Sequence, residues 1–184
     1  NLLDDLTDIE KRLSQIVKLS YSMDFIPQTN YFYEEDLLIM KQKSLVKKKK
    51  LKEIDQSKKM HLIKNFSQSL DRLYGEGFVH GDINRKNIIY SENKLFLIDF
   101  EPSLLQLKDQ TKQWMSTRPY RHHEDIQNKN ITAKSDFLGF SCFVKWFLFN
   151  SNCPQHYAEE CSKIIAKLKF QSSPFQNLTK LIAY

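Results

Sequence analysis

Apolar residues recur at spacings of three and four positions in several stretches of the chain, which is the periodicity of amphipathic helices. One stretch predicts a helix over residues 2–19, and another predicts a longer helix that ends at Gly75 or Gly77. The buried face of this longer helix is predicted to consist of Met60, Ile63, Phe66, Leu70, Leu73 and Tyr74. Three more helices are predicted downstream: over residues 132–150, between 157 and 168, and from Pro174.

Shorter apolar runs on either side of polar turns predict two pairs of strands. Residues 31–33 and 37–40 flank an acidic turn, and residues 88–90 and 96–98 flank a second polar turn. The stretch from 102 to 130 is polar and irregular, so no element is predicted there. Helices therefore predominate in the pattern.

The composition of the 184 residues is that of one globular domain. Only five of the 28 basic residues are Arg, so the rigid forks that read bases are scarce and a nucleic-acid function is not indicated.

Three cysteines without framework spacing suit reduced thiols, and the acidic start is unlike a secretory signal. The most apolar stretch, 137–149, is too short to cross a bilayer. We therefore expect a cytoplasmic protein.

The centre of the chain carries polar residues at a chemically informative spacing. His80 and Asp82 precede Asn87, and Asp99 follows twelve residues after Asn87, beyond short apolar runs. An Asp on a loop can accept or orient a hydroxyl proton, while an amide oxygen and a second carboxylate are suitable ligands for Mg²⁺. The spacing predicts that Asp82, Asn87 and Asp99 converge around a divalent cation.

This pattern resembles the catalytic loop and metal-binding strand of protein-kinase-like phosphotransferases. Downstream, residues 116–120 with Glu124 resemble the end of an activation segment. Residues 134–139 resemble the buried helix whose initial acid, here Asp136, braces the catalytic loop. Together these matches place residues 2–150 on the family pattern.

The resemblance implies an α+β, protein-kinase-like fold in a single domain over residues 1–184. Residues 1–43 would form a truncated N-lobe, one helix and a strand pair, together with the hinge. Residues 44–184 would form an abbreviated, mainly helical C-lobe that contains the catalytic loop.

The resemblance also implies roles for individual residues, with ATP and Mg²⁺ as cofactors. Asp82 would orient the acceptor hydroxyl and receive its proton. Asn87 and Asp99 would hold Mg²⁺ against the nucleotide phosphates, and Lys86 would touch the transferring phosphate as a point charge. His80 is expected to pack and form hydrogen bonds within the loop rather than to act as a base.

Parts of the family pattern have no counterpart in these residues. No glycine precedes Gly75 and no lysine precedes Lys11, so the Gly-rich loop over ATP and the phosphate-anchoring lysine have no candidate. The resemblance assigns Glu10 as the natural partner of such a lysine, and Met40 as a nucleotide-binding residue near the hinge. We expect either a coding sequence that continues upstream or a reduced kinase fold with weak or absent catalysis.

Three functions follow as alternatives. The favoured one is ATP- and Mg²⁺-dependent phosphoryl transfer to a protein hydroxyl. A small-molecule kinase is the second, because Asp-Phe-Glu at residues 99–101 is familiar in choline-kinase-like and aminoglycoside-phosphotransferase-like relatives, and Gly81 stands where many regulated protein kinases carry Arg. The third is a pseudokinase-like binding module, supported by the missing lysine and glycine loop.

A run of four lysines, Lys47, Lys48, Lys49 and Lys50, lies between the expected hinge and the long central helix. Such a run is usually a solvated charge cluster. The sharper interpretation is a docking site for an acidic partner, nucleic acid or a membrane surface, whose binding would weaken steeply with added salt.

Overall fold

The structure is a computed structural model, and it describes five segments of the chain: residues 2–34, 37–100, 122–128, 131–150 and 173–183. The predicted features at Glu101, at residues 116–120 and between residues 157 and 168 lie outside the described residues. Within the described segments, no helix is long and apolar enough to cross a membrane.

Five α-helices and two antiparallel strand pairs make up the described segments. In chain order they are α1 (Leu2–Ser22), β1 (Thr29–Glu34), β2 (Leu37–Gln42), α2 (Gln56–Gly75), β3 (Ile88–Ser91), β4 (Lys94–Leu97), α3 (His123–Gln127), α4 (Ala133–Phe149) and α5 (Pro174–Ala183). A short 3-10 helix, Leu51–Glu53, precedes α2.

Most of the predicted elements are confirmed, with ends that shift by a few residues. α1 continues to Ser22 instead of residue 19, and α5 begins at Pro174 as predicted. The prediction of irregular structure over 102–130 is wrong at α3, a single polar turn too short to produce an apolar repeat. The prediction that Met60 is buried is also wrong, since it is exposed on α2.

Each strand pair is a simple hairpin. Tyr31 lies opposite Met40 in β1 and β2, and Ser91 lies opposite Lys94 in β3 and β4. The two residues between Ser91 and Lys94, Glu92 and Asn93, have φ of 49° and 61°. Two successive positive φ values are those of a type I′ turn, which matches the twist of the flanking strands.

The core lies where α2, α4 and α5 pack together. Phe66 of α2 contacts Phe25, Phe140 and Phe143, with ring centroids 6.0–6.3 Å apart. The ring of Phe175 on α5 lies on α4, as near as 4.7 Å between ring centroids. These aromatic contacts give a rigid support to the loop over residues 80–87, which follows α2 and which we call the catalytic loop after the resemblance described above.

α1 runs along the hairpin in register with β1. Tyr33 Oη donates to Glu10 Oε1 at 3.2 Å, and Ser14 Oγ lies 3.1 Å from Tyr31 Oη. Four helical residues advance about 6 Å and two strand residues about 6.6 Å, so both hydrogen bonds form at once.

Candidate active site

The catalytic loop begins with two backbone N–H groups that a single carboxylate holds. Asp136, in the first turn of α4, accepts from His80 N at 2.7 Å and from Gly81 N at 2.8 Å. Asp136 is buried, and burial raises the pKa of its carboxyl to about 7 although both N–H donors oppose the shift. The prediction that Asp136 braces the loop is therefore confirmed.

His80 has a structural role, as predicted. Its ring is fully buried, with Nε2 3.0 Å from the Ile98 carbonyl and Nδ1 accepting from Asp82 N at 3.2 Å. A carbonyl only accepts and an N–H only donates, so these partners define one neutral tautomer, protonated on Nε2. Burial lowers the pKa of the imidazole to about 4, which keeps the ring neutral near pH 7.

Asp82 and Asn87 are brought together, as the spacing predicts. Asn87 Nδ2 donates to the Asp82 carbonyl at 2.9 Å and to Asp82 Oδ2 at 3.0 Å. Both side chains are largely buried. Because the amide nitrogen is directed at Asp82, the Asn87 Oδ1 oxygen faces the other way and can serve as a ligand.

The peptide that leads into Asp99 is clamped from both sides. Ile98 N donates to the Asn87 carbonyl at 3.0 Å, and the Ile98 carbonyl contacts His80 Nε2. Asp99 is exposed and adopts φ of 65°, a left-handed conformation that costs an ordinary residue about 1 kcal/mol or more. Backbone strain of this kind is typical of functional sites that their surroundings hold in place.

Phe100 anchors the residue that follows. Its buried ring lies 4.7 Å from the His80 ring and 5.7 Å from that of Phe78, measured between centroids. Phe100 therefore points into the core while the neighbouring Asp99 carboxylate is displayed at the surface.

This donor set suits Mg²⁺. Asn87 supplies an amide oxygen and Asp99 an exposed carboxylate, and Mg²⁺ is commonly held by one or two such groups together with substrate phosphates. Among the described residues, no group of three or more His, Cys, Asp and Glu side chains could form a dedicated metal cage. Asn87 and Asp99 would hold the ion only with phosphate oxygens beside them.

The other predicted site residues are placed as follows. Lys86 is exposed on the catalytic loop. Glu10 is exposed on α1 and accepts from Tyr33, while Met40 is half-buried on β2 opposite Tyr31.

Sequence reasoning assigned no role to Asn84, which shapes the catalytic loop. Asn84 Nδ2 donates to the Asp82 carbonyl at 3.2 Å, and Asn84 Oδ1 accepts from Lys86 N at 2.8 Å. The sequence could have indicated this role, because an Asn side chain in a turn readily forms a hydrogen bond with the backbone two residues away. Asn84 thus positions the backbone between Asp82 and Lys86.

Gly139 on α4 is a second residue whose role was missed, although it falls within the motif at 134–139. A Cβ atom there would lie 2.1 Å from the carbonyl oxygen of Ile83 in the catalytic loop. The loop approaches α4 this closely only because residue 139 has no side chain.

α3 is tied to the start of α4 by acidic side chains. Asp125 accepts from Thr132 N at 2.9 Å, Thr132 Oγ1 at 2.7 Å and Ser135 Oγ at 2.6 Å. Glu124 forms an ion pair with Lys134 of α4. The link between these two elements is therefore local in sequence.

The comparisons with known proteins agree with this architecture. A family model described as the protein kinase domain matches residues 9–181. The chain therefore belongs to the protein kinase domain family, and the predicted kinase-like α+β fold is confirmed.

Among solved structures, the Cydia pomonella granulovirus kinase PK-1 has a similar fold. Its TM-score is 0.61 at 14% sequence identity, over 92% of this chain and 73% of the viral one. At this identity the similarity shows the fold alone. A search of curated proteins finds no match.

Proposed function

We propose that this chain binds Mg²⁺ and ATP at Asp82, Asn87 and Asp99 and transfers the terminal phosphoryl group to a protein hydroxyl. The carrying observation is the arrangement of the loop. Asn87 bonds to Asp82 through its side chain, and its carbonyl accepts from the N–H of Ile98, the residue before Asp99. One residue thus connects the candidate base to the candidate metal carboxylate.

Each of these residues has a distinct task. Asp82 accepts the proton of the acceptor hydroxyl, with its carboxylate oriented by Asn87. Asn87 Oδ1 and the Asp99 carboxylate hold Mg²⁺, which neutralises charge on the phosphate oxygens when it is bound. Phosphoryl transfer depends on positioning and charge neutralisation more than on covalent chemistry by the protein. The hydrogen-bonded Ile98 peptide contributes to the positioning, because it fixes the backbone that leads into Asp99.

The division into lobes is also a proposal. Residues 1–43 would act as the small lobe and hinge, with α1 and the β1–β2 hairpin as one unit. The register hydrogen bonds from Tyr33 to Glu10 and between Ser14 and Tyr31 support this grouping. Met40, on β2, would then line the nucleotide site.

A second candidate is a module that binds nucleotide without turnover. The observation in its favour is the partner of Glu10: within the described residues its carboxylate accepts from the Tyr33 hydroxyl, and no lysine there is bonded to it. The two candidates differ only in the transfer step.

The metal role is tested by calorimetric titration of ATP with and without Mg²⁺. Asp99→Asn should weaken Mg²⁺-dependent ATP binding about tenfold or more, because it removes the charged ligand. Glu92→Gln, an equivalent loss of charge on the exposed β3–β4 turn, should leave the Kd unchanged. Parent-like binding by Asp99→Asn would remove Asp99 from the site.

The transfer step is tested with radiolabelled ATP and four acceptors: a generic protein, a sugar, an aminoglycoside and choline. Labelling of the protein alone supports the proposal, whereas labelling of a small molecule would replace the protein acceptor. Asp82→Asn should lower turnover by on the order of 10²–10⁴ while ATP binding persists. ATP binding without transfer to any acceptor would favour the second candidate.

A further inference from the structure

The positive charge of the chain is concentrated in one stretch. Residues 41–52, which we call the basic segment, contain seven lysines and no acidic residue. The rest of the chain contains the other 21 of the 28 basic residues and all 22 acidic residues. The net charge of +6 therefore comes from the basic segment, and the rest of the chain is close to neutral.

The backbone of the basic segment follows a defined path along β3. Lys49 N donates to the Tyr90 carbonyl at 3.3 Å, and Ser91 Oγ donates to the Val46 carbonyl. Lys47, between these contacts, adopts φ of 54°, a conformation that needs support from its surroundings. The segment is thus held against β3, while its lysine side chains are exposed.

This attachment places the lysines beside the candidate active site. β3 begins directly after Asn87, and Tyr90 lies three residues beyond it. At about 3.3 Å per strand residue, the contact with Lys49 is about 10 Å from Asn87 along the strand. A polypeptide bound at Asp82 would have to extend only a few residues to reach the basic segment.

Few carboxylates lie close enough to the lysines of the basic segment to compensate their positive charge. Within the described residues, no carboxylate lies within 4 Å of the ammonium groups of Lys47, Lys48 and Lys49. Lys50 approaches Glu53 at 3.8 Å, with both side chains well exposed, so that pair is weak. A concentration of cations on a protein surface attracts anionic ligands toward it.

We propose that the basic segment binds acidic residues that flank the acceptor hydroxyl of a protein substrate. This inference rests on the proposed function and specifies its substrate class. The chemistry favours a peptide over nucleic acid, because the segment has neither arginine forks nor aromatic rings for bases. It also disfavours a membrane surface, since Val46 is its one exposed apolar side chain and the segment is not an amphipathic helix.

Binding is tested by fluorescence anisotropy on the whole chain without nucleotide. The probe is a labelled serine peptide with several flanking Glu and Asp residues, compared with the same peptide carrying Gln and Asn. The triple variant K47Q/K48Q/K49Q should bind the acidic peptide about tenfold more weakly. The control K18Q/K64Q/K180Q removes the same charge from exposed lysines elsewhere and should bind as the parent does. Raising the salt concentration should weaken parent binding.

Transfer supplies an independent measurement. The ratio of kcat/KM for the acidic peptide to that for the neutral peptide should fall about tenfold in K47Q/K48Q/K49Q and not in the control. An unchanged ratio would overturn the substrate assignment even if the acidic peptide binds.

Other outcomes overturn the inference directly. Equal weakening in the control triple would mean that overall charge, and not the basic segment, attracts the peptide. Tighter binding of duplex RNA or of phosphatidylserine vesicles, lost in K47Q/K48Q/K49Q, would assign the segment to that ligand instead. Because the peptide titration contains no ATP, a failure of Mg²⁺-dependent ATP binding would count against the proposed function alone.

Discussion

The carbonyl oxygen of Ile83 lies so close to Gly139 that a Cβ atom added to this glycine would be only 2.1 Å from it. Ile83 follows Asp82 in the catalytic loop, and Gly139 lies on the buried helix α4. The neighbour is backbone, which cannot rotate out of the way as a side chain tip can. The position of the candidate base, Asp82, therefore depends on the absence of a side chain 57 residues further along the chain.

Gly139→Ala should lower the free energy of unfolding by about 1–3 kcal/mol, since the added methyl group forces the loop away from α4. This is opposite in sign to the usual effect, because alanine within a helix is ordinarily favoured over glycine by up to about 1 kcal/mol. Urea unfolding followed by circular dichroism measures the change.

Gly75→Ala is the matched control for this substitution. Gly75 ends α2, and a Cβ atom there would meet nothing within 4 Å. Its unfolding free energy should stay the same or rise slightly. A loss at Gly75 equal to that at Gly139 would contradict the close approach as the cause.

Asp136→Asn should be costly although it keeps the shape of the side chain. The carboxylate accepts from both His80 N and Gly81 N, whereas an amide has one accepting oxygen and turns its NH₂ group toward the other donor. A buried N–H left without an acceptor costs about 1–3 kcal/mol. Asp55→Asn, at an exposed residue without a side-chain capping bond, should change stability little in the same urea titration.

The pH dependence of this variant gives a separate test. The pKa of Asp136 is raised from 3.8 to about 7, so the folded state binds a proton that the unfolded state releases between those values. The Asp136 contribution to stability is therefore greatest at low pH and is lost as the pH rises toward 7. Asp136→Asn lacks this titration, so the stability difference, parent minus variant, should shrink between pH 4 and pH 7.

The titration of His80 changes stability with pH in the opposite direction, and it does so both in the parent and in Asp136→Asn. Its pKa is lowered from 6.5 to about 4, so the unfolded state binds the extra proton and stability falls as the pH drops through that window. In the parent, the pH dependence of stability due to Asp136 and that due to His80 oppose each other. In Asp136→Asn, only the pH dependence due to His80 remains. Unfolding midpoints at pH 5, 6 and 7 measure both, and a parent-to-variant difference that does not vary with pH would contradict the raised pKa.

What the sequence reveals about the site is mainly what neighbours along the chain determine. Asp82 and Asn87 are five residues apart on one loop, and the Asx-type turn between them is local. Their convergence could be predicted because the chemistry of the loop restricts both residue type and spacing.

Contacts between distant segments were harder to predict. Apolar periodicity assigned Met60 to the buried face of α2, but it is the neighbouring Lys59 that is buried, with its ammonium group 5.3 Å from the centre of the Phe147 ring. A lysine stem can cover apolar surface and its charge can lie on an aromatic face, which periodicity does not register. The role of Gly139 was missed for the same reason, because it depends on a contact across the fold.

Asp71 should stabilise the C-terminal helix from outside it. This residue of α2 accepts from Phe175 N at 2.8 Å and from Gln176 N at 3.2 Å, at the start of α5. These are N–H groups that a helix cannot satisfy internally, and Pro174 before them has no N–H to offer. Removing such a cap costs about 0.5–2 kcal/mol, so Asp71→Ala should lower the unfolding free energy by this amount.

Hydrogen exchange distinguishes a local effect at α5 from a general loss of stability. In Asp71→Ala, the amides of α5 should exchange faster by a larger factor than those of α4, because α5 loses the anchor at its first turn. Glu76→Ala, which removes an exposed carboxylate just beyond α2, serves as the control and should leave α5 protected. Faster exchange of equal factor in α4 and α5 would mean that Asp71 supports the whole core and not the start of α5.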